Sequence, residues 1–398
     1  MRKLAHGLRV RSCRFSWQGR GKILAGGRPT EAQIDLAALC ANYATACRFA
    51  RGRDVIAVVK TDAYGHGAVM VTRALVEAGC PRVATATVDE GVALRDAGLG
   101  VPILVLGGVH GTEEAAEAVA RGLTPVLHGR SQLAALTEAL RGSGESALPV
   151  QVEIDTGMRR MGVAPDDAVA LLTTVASQPA LRIEGVYTHL ACADEPDLEP
   201  SREQLSLFKQ LLDAARARGL DPGCVHFANS AALLGGAPLL DAVPSDAVRP
   251  GLMLYGARPA RDLKGELRPV MTLRTRVVAL RTVHKREAVG YNATFRATRD
   301  TRVATLPLGY GDGVPVSASN RATVLIQGRR FGVAGRVSMN YLGVDVGAAP
   351  VALGDEAILF GTGQGAELRV EEAADAAGTL AYELLVRVGS RVPRVIRA

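Results

Sequence analysis

The 398-residue chain has a formal net charge of +7, is 48% hydrophobic and 4% aromatic, and contains 44 glycines. That length exceeds one small core and implies two domains, or one large α/β barrel with an addition. No run of about eighteen uncharged apolar residues occurs, which excludes a membrane-spanning helix, and the composition is that of a globular protein rather than a low-complexity chain.

Much of the positive charge opens the chain: Arg2, Lys3, Arg9, Arg11, Arg14, Arg20, Lys22 and Arg28 all precede the first acidic residue, Glu31. Such a segment can bind nucleic acid or an anionic surface, or act as a targeting peptide. Phe15 and Trp17 are the only aromatics among the charges and no apolar stretch follows them, so residues 1–28 read as a basic, disordered extension. A nucleic-acid or membrane partner is not expected. The six cysteines are scattered, with no C-x-x-C pair and no histidine at ligand spacing. They read as buried thiols in a reducing, cytoplasmic compartment, with no metal site.

From about residue 30, short apolar runs alternate with longer amphipathic stretches, the pattern of βα units on a parallel sheet. Strands are expected at residues 55–60, 83–87, 102–106, 124–128, 149–155, 183–189, 224–227 and 248–255. Runs such as Val55-Ile56-Ala57-Val58-Val59 are apolar on both faces, as a sheet covered by helices requires. Eight such units predict a TIM (β/α)8 barrel over residues 29–258. Beyond Pro259, residues 270–283, 302–308, 322–326, 330–334 and 356–360 alternate in the strand manner between Gly-rich turns. Residues 259–398 are therefore expected to form a mostly β C-terminal domain, helical only at 370–377 and near 382–386.

The chemistry gathers at strand ends. Lys60 closes the first apolar strand within Ala57-Val58-Val59-Lys60-Thr61-Asp62-Ala63-Tyr64-Gly65-His66-Gly67. Burial there lowers an amine's pKa, the condition for a neutral nucleophile of the Schiff-base-forming kind. At the C-terminal end of a barrel strand it points to where TIM barrels place catalysis. A single such lysine is more often one snorkelling to the rim; its context reverses that.

The undecapeptide resembles the cofactor-lysine motif of the alanine racemase family, and the likeness continues in order along the chain from about residue 30. It implies pyridoxal 5'-phosphate as cofactor, bound through Lys60. Asp155-Thr156-Gly157-Met158-Arg159-Arg160-Met161-Gly162 resembles the loop whose arginine, here Arg160, contacts the cofactor's phenolic oxygen and faces the substrate carboxylate. Gly185-Val186-Tyr187-Thr188-His189 resembles the strand ending in a histidine that stacks on the pyridine ring. His226-Phe227-Ala228-Asn229-Ser230 and Arg249-Pro250-Gly251-Leu252 resemble the remaining cofactor motifs. They imply that Ser230 and the amides of Gly251 and Leu252 hold the phosphate, helped by Tyr64 and Tyr382, and that Asn229 also belongs to the cofactor site. Phosphate binding between strands seven and eight is also a general habit of TIM barrels. Arg249 would face the pyridine nitrogen, and a permanent cation lends no proton, which leaves the ring a weaker electron sink.

In the second domain, Val289-Gly290-Tyr291-Asn292-Ala293-Thr294-Phe295 resembles the segment with the family's second base. Racemisation removes a proton from one face and returns it to the other, so two fixed groups, Lys60 and Tyr291, suffice. The resemblance further implies that Tyr310 narrows the entrance, that the Met339 amide binds substrate carboxylate, and that Tyr291 and Met339 come from the other subunit of a homodimer with shared sites. The implied activity is interconversion of L- and D-alanine, a small amino-acid substrate. Serine or broad-specificity racemisation is the first alternative, and a barrel-type decarboxylase using the same cofactor the second. Glu153 stands where many members carry a lysine that becomes carbamylated, and is expected to pair with Arg160, directly or through water, unless it points outward. Asn340 and Asn292 stand where aspartate and glycine are common.

Overall fold

The computed structural model describes residues 27–141, 147–260, 262–263 and 265–397. The basic extension expected over residues 1–28 therefore lies outside the described residues, apart from its last two. Arg28 is no free tail residue: its guanidinium donates to the Pro307 carbonyl (2.8 Å) and to Asp312 Oδ1 (2.7 Å).

The chain begins with β1 (Glu31–Ile34) and α1 (Leu36–Ala50), whose N-cap Asp35 accepts from the Ala38 amide as capping side chains do. Then come β2 (Asp54–Val58), the short segment α2 (Lys60–Gly65), α3 (Ala68–Glu77), β3 (Arg82–Thr85), α4 (Val88–Asp96), β4 (Ile103–Val105) and α5 (Thr112–Ala120). They are followed by β5 (Thr124–Leu127), α6 (Arg130–Leu140), β6 (Leu148–Glu153), α7 (Pro165–Ala176), β7 (Leu181–Tyr187) and α8 (Glu199–Ala217). Last are β8 (Cys224–His226), α9 (Ser230–Gly235), α10 (Ala237–Leu240) and β9 (Ala247–Val248). Strands β2 to β9 pair in parallel and in order, and β9 closes on β2 through Asp54↔Ala247. The expected eight-stranded barrel is present. Its strands are apolar on both faces because side chains fill the interior on one side and helices cover the other.

The eighth strand is shorter than expected over 248–255. Pro250 has no amide hydrogen to extend a ladder, and Leu252–Tyr255 instead forms one 3-10 turn. Its burial arises from packing under the barrel rim rather than from sheet pairing.

The second domain holds β10 (Met271–Arg276), β11 (Ala279–Val283), β12 (Ala288–Val289), β13 (Phe295–Arg296), β14 (Thr301–Leu306), β15 (Thr323–Ile326) and β16 (Arg329–Val333). It continues through β17 (Leu342–Asp345), β18 (Glu356–Gly363), β19 (Ala366–Leu368), α11 (Val370–Ala377), α12 (Ala381–Arg387) and β20 (Arg394–Ile396). The main sheet runs β11-β14-β17-β16-β15-β18-β10-β1-β20, with β19 on β18. Strand β1 thus belongs to this sheet, antiparallel to β10 and parallel to β20, although its sequence position assigns it to the barrel. Its alternating burial, two half-buried and two buried positions, suits a sheet covered on one face better than a barrel interior.

One hydrophobic core runs from the barrel into the β domain. Asn42 on α1 fastens the junction: fully buried, it donates to the carbonyls of Leu254 (3.0 Å) and Arg268 (2.8 Å) and accepts from the Arg268 amide (2.8 Å). A buried amide satisfied on both ends fixes geometry without leaving an unpaired polar group.

Candidate active site

Strand β2 delivers Lys60 to the C-terminal mouth of the barrel, and the four residues that follow it adopt left-handed φ of 52–54°. For non-glycine residues that costs roughly 1–2 kcal/mol each, so the turn must be held by its surroundings. Asp62 accepts from the Ala68 amide (2.7 Å), its carbonyl accepts from Gly67 (2.9 Å), and Arg394 donates to the Gly65 carbonyl (2.9 Å). Gly65 has no alternative here: with φ +78°, its Cβ would lie 2.6 Å from the Leu385 carbonyl oxygen. The turn folds Tyr64 back beneath Lys60, stacked on Tyr255 with ring centroids 4.7 Å apart.

Burial, reinforced by the neighbouring Arg160 and Arg249 charges, lowers the Lys60 amine's pKa from its ordinary value, while Glu90 and Glu153 oppose the shift. This is the microenvironment of a nucleophilic amine.

Across the mouth, Arg249 is buried and heavily engaged. Its guanidinium donates to His226 Nδ1, to the Thr188 carbonyl (2.9 Å) and toward His189 Nδ1 (3.3 Å), and lies over the Tyr187 ring. His226 stacks on Tyr187 and its Nε2 meets Gln151 Oε1 at 2.8 Å. Burial, and then Arg249, push His226 well below the ordinary histidine range and His189 down to about 3. Both imidazoles are neutral near pH 7, so each can accept from the arginine, which remains the cation.

At the other end of the mouth, Asn229 caps α9 by accepting from the amides of Ala231 and Ala232, both at 3.0 Å. Ser230 Oγ accepts from Gly251 (2.9 Å) and Met253 (3.3 Å). A Cβ at Gly251 would meet the Tyr64 hydroxyl at 2.3 Å, so only glycine admits that phenol. The Tyr382 ring stands 6.2 Å from the Tyr64 ring. Burial raises both phenols, that of Tyr382 to about 12, which keeps them protonated as donors. Three hydroxyls beside backbone amides suit a ligand that only accepts hydrogen bonds, such as phosphate.

The expected cofactor-site residues open on one cavity of about 720 Å³. Lys60, Tyr64, Arg160, His189, Asn229 and Ser230 line it, as do Arg249, Gly251, Leu252 and Tyr382. Arg160 sits on the loop after β6, which Asp155 shapes by accepting from the amides of Gly157 (2.9 Å) and Arg159 (3.0 Å). The expected direct bond between Glu153 and Arg160 is absent, and Glu153 does not point outward either. Its carboxylate is buried, accepts from the Tyr187 hydroxyl (3.0 Å), and lies 3.1 Å from His128 Nε2, off the direction a hydrogen bond requires. The shorter glutamate ends inside the barrel mouth.

Tyr291, Tyr310 and Met339 are not brought to this cavity. They are exposed at 70%, 46% and 52% on the β domain. Tyr291 begins a 3-10 turn between β12 and β13. Tyr310 and Met339 ride on two segments zipped together by Tyr310 N–H to the Ser338 carbonyl (3.0 Å) and Gly311 N–H to that of Met339 (2.9 Å). Beneath them, the fully buried Asp312 accepts from the Gly309 amide (3.0 Å) and from Arg28.

Sequence reasoning left four supporting residues without a role: Glu90, Gln151, Tyr187 and His226. Thr87-Val88-Asp89-Glu90 carries the capping-box spacing, which flags Glu90. Nothing in the chain order signals its contact with Thr61, 29 positions away.

Residues 34–259 match the family described as alanine racemase, N-terminal domain, and residues 270–396 the one described as its C-terminal domain. The chain is 40% identical over 380 residues to the alanine racemase of Sorangium cellulosum strain So ce56, covering 93% of this chain and 99% of that one. It is 41% identical over 370 residues to the alanine racemase of Thermobifida fusca strain YX, covering 92% and 97%. The crystal structure of alanine racemase from D-cycloserine producing Streptomyces lavendulae superposes with a TM-score of 0.88 at 37% identity, over 93% of this chain and 97% of that one. That of the biosynthetic alanine racemase from Pseudomonas aeruginosa gives 0.85 at 39% identity, over 93% and 100%.

Proposed function

This chain belongs to the alanine racemase family, and from that premise we propose that it interconverts L- and D-alanine with pyridoxal 5'-phosphate held on Lys60. The observation that carries the reading is the single cavity at the barrel mouth, where a depressed lysine, an engaged arginine and a cluster of hydroxyl donors face one another. The relatives named above act on alanine, which favours it over serine and disfavours the decarboxylase.

The residues present fit that cofactor: Tyr64, Ser230, Tyr382 and the Gly251 and Leu252 backbone would hold the phosphate, Arg249 and His189 would hold the ring, and Arg160 would serve the phenolic oxygen and the substrate carboxylate. When bound, the cofactor withdraws electrons from the amino acid and makes its α-hydrogen acidic. Lys60 then holds or releases a proton at Nζ on one face. Arg249, donating already to two imidazoles and a carbonyl, keeps its protons and offers the ring nitrogen none.

The opposite face needs a second proton carrier. Tyr291 is the candidate, and its exposure, with that of Tyr310 and Met339, supports a homodimer in which these three complete the partner's site. The described residues contain no helix long and apolar enough to cross a membrane, and a cytoplasmic location is part of the proposal.

The test is a chiral assay of L-alanine and L-serine with the wild type and Lys60→Ala, alongside visible spectra. D-alanine formed by the wild type alone, with a visible cofactor band missing in Lys60→Ala, supports the reading. A wild-type band without racemisation of either amino acid overturns it.

A further inference from the structure

The left-handed turn after Lys60 is tied down from two sides. Its own segment contributes Asp62 and the His66 ring, whose Nδ1 faces the carbonyls of Ala63 (3.0 Å) and Tyr64 (2.9 Å). From the barrel side comes Glu90, on the first turn of α4. Its Oε1 accepts from the Thr61 amide at 2.6 Å and its Oε2 from the Ala86 amide at 2.7 Å. Ala86 directly follows β3, the strand beside β2. One carboxylate therefore clips the residue after Lys60 to the end of the neighbouring strand, with both oxygens in charge-assisted bonds to backbone amides.

We propose that Glu90 is a positioning residue for Lys60: its carboxylate holds the strained turn in the conformation that presents the amine to the cavity. The proposal rests on the reading of Lys60 as the cofactor-holding residue. The strain makes the clip necessary. Thr61 is β-branched at φ 54°, a backbone state that such a side chain resists, and without a partner for its amide the chain is drawn toward right-handed or extended geometry. The charge matters as well. Arg160 and Arg249 face Lys60 with like charge, and Glu90 stands with Glu153 on the opposing side. Removing Glu90 leaves the two guanidinium groups less balanced and pushes the amine further toward its neutral form.

The experiment follows uptake of pyridoxal phosphate by cofactor-free protein, as the visible band appears, together with the pH midpoint at which an amine-reactive reagent labels Lys60. In Glu90→Ala the uptake is expected to slow by about tenfold, the scale of a lost bond to a charged acceptor. The isosteric Glu90→Gln should fall in between, keeping one acceptor for Thr61. Adding Thr61→Gly to Glu90→Ala should recover uptake, because glycine adopts the left-handed state without a steric penalty. The labelling midpoint should move to lower pH in both single variants. Wild-type uptake with an unmoved midpoint in Glu90→Ala overturns the proposal, and so does failure of Thr61→Gly to recover it. A band that persists in Lys60→Ala overturns the reading of Lys60, and the proposal with it.

Discussion

Arg249 lies flat against Tyr187, its Cζ atom 4.3 Å from the ring centroid, while the hydroxyl of the same tyrosine donates to Glu153 at 3.0 Å. The tyrosine thus separates a buried cation from a buried carboxylate and contacts both. A planar guanidinium can stack on the ring and still project donors around its edge. Arg249→Lys retains the charge without that fork. It should cost about 2 kcal/mol of stability, because Thr188 and His226 lose donors in a dry site. Racemisation should fall with it. Urea unfolding and the chiral assay check the two effects separately; a lysine variant as stable and as active as the wild type would contradict the account.

Buried histidines set the response to acid. His66, His189 and His226 are all pushed below the ordinary 6.5, chiefly by burial, His66 to about 4 and His189 to about 3. The folded state holds these rings neutral, whereas the unfolded chain protonates them once the pH drops below 6.5. Their contribution is present above pH 6.5 and is lost as the pH falls toward the folded values. Three protons give a slope of about 4 kcal/mol per pH unit. Unfolding free energies measured in urea from pH 7.5 to 5 should fall off steeply below 6.5, and a flat profile would contradict the assignment.

Complementation tests the shared site. Lys60→Ala and Tyr291→Phe should each be inactive as homodimers. Mixed after dissociation, half the dimers pair one of each, and each such pair holds one intact site of two. Recovery of about one quarter of wild-type activity is expected from that statistics. No recovery, with mixed dimers verified by mass, would place both groups in one chain's own site or remove Tyr291 from the reaction.

Arg28 neutralises a fully buried carboxylate, Asp312, directly beneath Tyr310. Arg28→Ala leaves that charge only the Gly309 amide (3.0 Å) and the more distant Arg391 guanidinium (3.8 Å), and the expected loss is about 1–3 kcal/mol. Adding Asp312→Asn should return part of it, since the neutral amide is cheaper to bury without a partner. Denaturant unfolding of the wild type and the two variants decides the matter: equal losses in the single and double variants would show that the pair is not the cause.

The barrel was legible because most of its strands are compact apolar runs ended by polar or glycine residues, β6 and β7 with their internal polar residues being the exceptions, and Lys60 stood out as a charge at the end of one. Other features were written less plainly. Leu252–Tyr255 is as apolar as a strand, and its 3-10 turn follows from the missing amide of Pro250 and the close approach of Tyr64 to Gly251. Strand β1 has too few residues to declare a sheet, and its partner β10 lies some 240 positions on, at Glu31↔Arg274. The hold of Glu90 on Thr61 depends on β2 and β3 being neighbours in space. Glu153 was expected beside Arg160 by resemblance, but its reach is set by side-chain length, and it ends on the Tyr187 hydroxyl instead.

The register Ala32↔Arg394 places the first strand beside the last. In topological terms the barrel is an insertion: the sheet opens with β1, leaves for the whole (β/α)8 unit, and resumes at β10. Apart from the β9–β2 closure, the barrel's pairings are between successive segments and can form while synthesis proceeds. The β10-β1-β20 edge of the sheet must wait for the far end of the chain, a high-contact-order step. On the ribosome the barrel would therefore mature first with β1 unpaired beside it. Because the pairing is parallel, residues 28 and 397 leave the strand pair at opposite ends, so a circular permutation of this fold needs a linker that runs back along the length of β1, with new termini opened on a barrel helix loop.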